Sequence, residues 1–284
     1  MNDIEHEKAV LLKETYDSVK FMLGESIEKL TVDRVVIGIF FTGIKLSNGT
    51  GGLCYTPVKM IPQAVCCPSS AKAMPNSGKM RGKNVLSFTE DIFSQNPLKK
   101  AVGIAVLNAL SETCRQKNLY KDYKYVIDAD PLDYITIPND AYTVVVGALL
   151  PYIKMLKKNR NSYGILELDP RTLKDEEMSH YVKPEKTEDA ISKADYLLIT
   201  GTTLINDTLD EILSKKKEGA KAIIVGPTAS LYPEAFFKRG VVALGGITVT
   251  EPNGLLDILE EAGSGYHFYG KYAEKTVIFN SNID

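Results

Sequence analysis

Glu167 and Asp169 stand in the run Glu167-Leu168-Asp169-Pro170-Arg171, directly after an apolar stretch. On an extended chain alternate residues share a face, so the two carboxylates would point together. Such a pair coordinates a hard cation, holds a ligand hydroxyl or serves as a base. Alternatively Arg171 pairs with one of them and the cluster is structural. A second group is Thr200-Gly201-Thr202-Thr203, followed by Asn206 and Asp207. Its hydroxyls and amide suit a polar ligand, and Gly201 permits close approach. Asn206 or Asp207 equally suits the cap of a following helix. Gly147, Gly226-Pro227-Thr228 and Gly245-Gly246 each close a short apolar run. Cys66 and Cys67 are adjacent thiols. They would grip a soft metal or act in redox chemistry, or be loop thiols with no special role. The candidate metal ligands are therefore Glu167, Asp169, Cys66 and Cys67.

The elements that must position these groups are readable from pattern. Residues 4–30 carry apolar side chains at near-helical spacing. A β-rich stretch from Val35 to Leu46 leads through Ser47-Asn48-Gly49-Thr50-Gly51-Gly52 into Leu53-Cys54-Tyr55-Thr56, a hairpin signature. Residues 60–96 are broken by Pro and Gly and are basic. They read as a flap closing over an anionic ligand, or as a solvated excursion. Asn96-Pro97 opens an apolar helix to about Lys117, with Asn108 inside it. A buried amide must find partners, so Asn108 bonds a neighbouring helix or points into a cleft. After Asp140 strands alternate with helices: 141–146, 163–168, 196–200, 222–225 and 241–244 are strands, and 270–280 holds the last. That alternation implies crossovers and a parallel sheet, with ligands outside the carboxyl ends of its strands. The loops bearing Glu167, Thr202, Thr228 and Gly245 are then expected on one rim facing the first unit.

Composition narrows the function classes. Among 284 residues, 44% are apolar and 25% charged, and the net charge is -2. No global field favours nucleic acid or an anionic membrane. The longest apolar runs are too short to span a bilayer, and the acidic start lacks an apolar signal core. A cytoplasmic protein follows, with a small-molecule ligand as partner and homo-oligomerisation allowed. The four cysteines form no C-x-x-C pair and read as reduced thiols. Gly147 stands alone rather than in G-x-G-x-x-G, and no Walker loop occurs, so neither NAD nor ATP has its fingerprint. The cofactor reading is open, with a metal ion or metal chelate as the candidate. No Ser-His-Asp or Cys-His set is evident, so catalysis is left undecided.

Several of these motifs, in this order, resemble one family. They are Ile37-Gly38 through Phe41-Thr42-Gly43, Tyr55-Thr56-Pro57, Gly103-Ile104-Ala105 with Asn108-Ala109-Leu110, Glu167 to Arg171, Ile199 to Leu204, and Val225-Gly226-Pro227-Thr228. The chain resembles the putative heavy-metal-chelation proteins, a bacterial and archaeal domain of unknown function. The resemblance implies an α/β protein in two parts. Residues 1–139 would form an α+β domain like the N-terminal part of enolases. Residues 140–284 would form a Rossmann-like domain with a mainly parallel sheet. It also implies a site between the two and a role in metal chelation. Thr42 and Asn108 would serve that site from the first domain. Gly147, Glu167, Asp169, Thr200, Gly201, Thr202, Thr203, Asn206, Gly226, Pro227, Thr228, Gly245 and Gly246 would serve it from the second. Because these loops offer oxygen donors rather than thiolates or imidazoles, the expected ligand is a small polar or anionic metabolite, such as a chelator or metal complex, in an interdomain cleft. The alternatives are a direct metal-storage protein and a nucleotide- or S-adenosylmethionine-dependent transferase with Glu167 on a ribose.

Overall fold

The computed structural model describes residues 9–61, 77–120 and 122–280. Residues 62–76 of the expected flap, with Cys66, Cys67 and Lys72, lie outside the described residues. The first helix, Val10–Leu23, buries Leu11, Leu12, Thr15, Val19 and Leu23, the stripe its spacing demands. Strands β1 (Val32–Ile37), β2 (Phe41–Leu46) and β3 (Gly51–Tyr55) form an antiparallel sheet, with the expected hairpin joining β2 to β3. The helix Pro97–Gln116 starts as its sequence requires. The Asn96 side chain accepts from the Leu98 and Lys99 amides at 3.0 and 3.1 Å. Every residue from Lys100 to Cys114 is buried, because the helix runs between the small sheet and the larger one.

The larger sheet has seven strands: β4 (Tyr123–Ile127), β5 (Tyr142–Val146), β6 (Ser162–Leu166), β7 (Tyr196–Thr200), β8 (Lys221–Val225), β9 (Val241–Val249) and β10 (Ala273–Asn280). Their order is β4-β10-β9-β8-β7-β5-β6. β6, β5, β7, β8 and β9 are parallel, and β10 and β4 close the far edge antiparallel. The parallel strands are apolar and buried along nearly their whole length, as a sheet covered on both faces must be. Counted from β5 they run 2-1-3-4-5. The chain steps outward to β6 and then crosses back to β7, so the switch point lies between β5 and β7.

Two strand ends and the placement of one strand differ from the sequence expectation. β6 stops at Leu166, so Glu167 and Asp169 lie in the following loop and the alternate-residue argument does not govern them. β9 continues to Val249 because β10 supplies an antiparallel partner, which pairs Gly245 with Val277 and Gly246 with Thr276. These glycines are therefore inside a strand rather than in a terminal loop. β4, from residues before 140, edges the larger sheet. A further helix, Pro252–Glu260, packs Leu255, Leu256 and Leu259 under the small sheet, and Arg34 of β1 reaches Asp257 and Glu260 at 2.8 and 2.6 Å.

One continuous apolar core joins the N-terminal helices to β7, β8 and the helix Leu209–Lys215. A buried ion pair crosses it. Lys100, 2% exposed, projects from the 97–116 helix and bonds Asp207 in the loop after β7. Among the described residues no helix is long and apolar enough to cross a membrane.

Candidate functional site

A cavity of about 270 Å³ opens at the carboxyl ends of β5, β6 and β7, the switch point of the sheet. Val146 and Gly147 end β5, Leu166 and Glu167 end β6, and Thr200, Thr202 and Thr203 follow β7. Asn206, Thr208, Glu211, Ile212 and Lys215 bring in the next loop and helix. The apolar side comes from Leu168 and from Tyr181, Val182, Pro184 and Ile191 in the long β6–β7 connection. That connection is fastened along β6 by the Val182 amide donating to the Ile165 carbonyl at 2.9 Å. Among the described residues all of the lining falls between 146 and 215, so the described wall belongs to the α/β unit rather than to a cleft between two domains.

The polar wall is organised by Thr200. Its Oγ1 accepts from the Thr202 amide at 3.4 Å and from the Thr202 hydroxyl at 3.2 Å. Its carbonyl accepts from the Thr203 hydroxyl at 2.7 Å. Asn206 turns the next loop, its Oδ1 accepting from the Thr208 hydroxyl at 2.7 Å. Opposite, the Glu167 Oε1 accepts from the Asp169 amide at 3.1 Å. Among the described residues no cationic side chain forms an ion pair with Glu167, so this carboxylate retains lone pairs for a ligand. At the mouth Lys215 bridges Glu211 and Glu188 at 2.7 and 3.0 Å, and these bonds raise its pKa.

Gly147 is required by this geometry. Its φ is +90°, and a Cβ there would stand 2.6 Å from the Thr200 methyl. Gly147→Ala is expected to cost about 1–3 kcal/mol of stability and to displace Thr200. Urea unfolding will read the first effect and ligand affinity the second.

The other expected site residues lie elsewhere. Asp169 turns away from Glu167. It pairs with Arg171 at 2.8 Å and with Lys59 of the N-terminal unit at 2.9 Å, and these cations hold its carboxyl far below the usual range. Asp169 thus makes the Arg171 pairing and is not among the lining residues, while Glu167 is. Gly201 is buried against Thr228 and Ala229 rather than open to a ligand. Gly226, Pro227 and Thr228 form a junction with the first unit. The Thr228 hydroxyl accepts from the Tyr55 amide at 3.0 Å, and the Asn108 amide donates to the Leu53 and Thr228 carbonyls at 2.7 and 3.2 Å. Thr42 is buried and shares a hydrogen bond with Thr56 at 3.0 Å. Gly245 and Gly246 pack beneath Pro131 and Ser230, where side chains would collide. The single rim expected for Glu167, Thr202, Thr228 and Gly245 is thus divided. Glu167 and Thr202 meet at the cavity, whereas Thr228 and Gly245 are packing positions.

The sequence reading missed Thr208, Glu211, Lys215 and the apolar wall from 181 to 191. The signal available was the length of the connection between β6 and β7, which exceeds what a short crossover needs.

Among the described residues no group of three or more His, Cys, Asp or Glu side chains could hold a metal ion. Cys54 and Cys114 are buried and free, and burial pushes both thiols up, Cys114 to about 12. The metal-binding thiolate is disfavoured at both. Cys66 and Cys67 lie outside the described residues.

Residues 130–278 match the profile of a family described as "Putative heavy-metal chelation", and residues 22–111 match a second profile of the same description. The chain is 28% identical over 200 residues to an uncharacterized protein of Methanocaldococcus jannaschii, covering 69% of this chain and 72% of that one. Two crystal structures of proteins of unknown function from the family share the fold. The one from Pyrococcus horikoshii has a TM-score of 0.73 at 18% identity, covering 94% of this chain and 98% of that one. The one from Desulfitobacterium hafniense has a TM-score of 0.67 at 18% identity, with the same coverage.

Proposed function

We infer a function from one premise, that the chain belongs to the family described as "Putative heavy-metal chelation". Its α/β unit binds a small, polar, hydroxyl-bearing metabolite in the switch-point cavity. A molecule of that kind can carry its own metal donors, so the protein handles a chelator or its complex rather than the bare ion. The observation that supports this most is the cavity itself. It sits where open α/β sheets hold ligands, with Glu167 and the Thr200–Thr203 hydroxyls on its polar side.

The donor chemistry does not fit direct heavy-metal ligation by the described residues. The wall supplies carboxylate, hydroxyl and amide oxygens, whereas soft metals select thiolates and imidazoles. The charge on the wall also modifies the expectation of an anionic ligand. Glu167, Glu211 and Lys215 line the same cavity, and Glu211 and Glu188 already neutralise Lys215, so hydroxyl groups or a cation suit the site better than an anion.

Native mass spectrometry of the protein as isolated tests the reading. Wild type is expected to carry a small-molecule adduct. Glu167→Ala combined with Thr202→Ala should lose it while melting within about 3 °C of wild type, since both side chains are only half-buried. An adduct that survives the double substitution would place the ligand elsewhere.

A further inference from the structure

We propose that the switch-point cavity takes a nucleoside without phosphates, its ribose diol on Glu167 and its base against the apolar wall. This rests on the reading that the cavity is the ligand site, and it adds the ligand's chemical class.

Position carries the first part of the argument. β6 is the second strand of the 2-1-3-4-5 order, and Glu167 is the first residue beyond it. The first βα turn, after β5, is made by Gly147 at φ +90°. In α/β nucleotide folds an acidic residue about 20 residues beyond that turn meets the ribose hydroxyls, and Glu167 stands at that spacing from Gly147. The carboxylate is free to accept. One oxygen takes the Asp169 amide at 3.1 Å, and no cation among the described residues competes for the rest. Two vicinal hydroxyls match that remaining acceptor capacity.

The neighbouring wall explains the base. Leu168, Tyr181, Val182 and Ile191 present an apolar surface beside Glu167. Leu168 is 82% exposed, a large apolar side chain left uncovered at the cavity rim. A flat heterocycle covers such a surface, and the Thr and Asn groups across the cavity can meet its polar edge. The volume, about 270 Å³, falls just below the range of drug-sized sites, ~300–1,000 Å³. It therefore favours one nucleoside over a dinucleotide.

The absence of phosphate follows from charge and backbone. A single glycine makes the first turn, without the glycine-rich cradle that surrounds a pyrophosphate. Among the described residues Lys215 is the lining cation, and it is held by Glu211 at 2.7 Å and Glu188 at 3.0 Å. A phosphate would meet Glu167 and Glu211 with no uncommitted cation among the described lining residues. A neutral nucleoside, or one bearing a cationic substituent, meets no such penalty.

Calorimetric titration of the full chain with adenosine, guanosine, cytidine, uridine, 2′-deoxyadenosine and AMP tests the proposal. At least one ribonucleoside should bind. If it is adenosine, the 2′-deoxy form should bind about 10- to 100-fold more weakly, the worth of a hydrogen bond to a charged group, and AMP should bind more weakly too. For another base, its own deoxy and monophosphate forms replace these. Glu167→Gln should weaken the ribonucleoside about 10-fold and shrink the discrimination against the deoxy sugar. No binding by all four ribonucleosides at millimolar concentration, tighter binding of the monophosphate, or affinity indifferent to Glu167→Gln would overturn it. The adduct experiment separates the two levels. If nucleosides fail but the adduct still depends on Glu167 and Thr202, the cavity remains the ligand site and only the ligand class falls.

Discussion

Asp207→Asn will lower the unfolding free energy by about 3–5 kcal/mol, the largest effect expected of a side-chain change this small. Lys100 is 2% exposed, and Asp207 is its ion-pair partner. The substitution leaves an ammonium in the core with a neutral amide in place of a carboxylate. Backbone strain does not confuse the result. Asp207 has φ +58°, and asparagine tolerates that region as well as aspartate does. Burial pushes the Lys100 ammonium below the usual lysine range, with Asp207 opposing that shift. Removing Asp207 deepens the depression. Between the lowered folded pKa and the ordinary value of 10.5, the unfolded chain holds the proton that the folded chain releases. Stability of the variant therefore rises with pH over that interval, and its deficit against wild type narrows between pH 7 and pH 10. Urea unfolding at both pH values checks the size and the sign. The consequence reaches the site, because Asp207 lies between Asn206 and Thr208 of the cavity wall. The ion pair anchors that wall to the 97–116 helix.

Asn108→Leu should destabilise the chain by about 2–3 kcal/mol and leave ligand affinity unchanged. The Asn108 amide group donates to carbonyls on both sides of the junction, Leu53 in β3 and Thr228 after β8. Leucine has nearly the same volume, so the loss isolates those hydrogen bonds rather than a cavity. Asn108 lines no part of the switch-point cavity. Its effect should be opposite in kind to that of Glu167→Ala with Thr202→Ala, which spares stability and removes the ligand. Measuring melting and adduct occupancy on both variants completes the comparison. Loss of ligand in Asn108→Leu would return the site to the junction between the units.

The parallel strands were legible because they are buried along nearly their whole length. Tyr196–Thr200 and Lys221–Val225 are apolar runs ended by glycine, and no amphipathic reading competes with them. The 97–116 helix was legible from its Asn-Pro start. What the sequence could not carry was pairing. Whether Gly245 ends a strand or sits within one depends on β10, some 30 residues later, arriving beside it. Likewise, a hydroxyl beside a glycine reads the same whether it faces a cavity or a partner segment. Thr202 and Thr228 occupy similar local sequences, yet Thr228 is 2% exposed and bonded to Tyr55 while Thr202 lines the cavity. Asp169 is set apart from Glu167 by two ion pairs, one to its near neighbour Arg171 and one to Lys59 from another part of the chain. For Gly245 and Thr228 the deciding contact is distant in sequence, and local pattern holds no record of it, whereas the Arg171 partner of Asp169 is local and was legible.

Methyl-labelled protein, titrated with a fractionated metabolite extract and followed by methyl NMR, locates the ligand directly. Methyl shifts confined to Val146, Leu166, Leu168, Val182, Ile191 and Ile212 are the expected result. Shifts at Leu53, Leu107 and Ala229 around the Asn108 junction, with the first set unmoved, would contradict it.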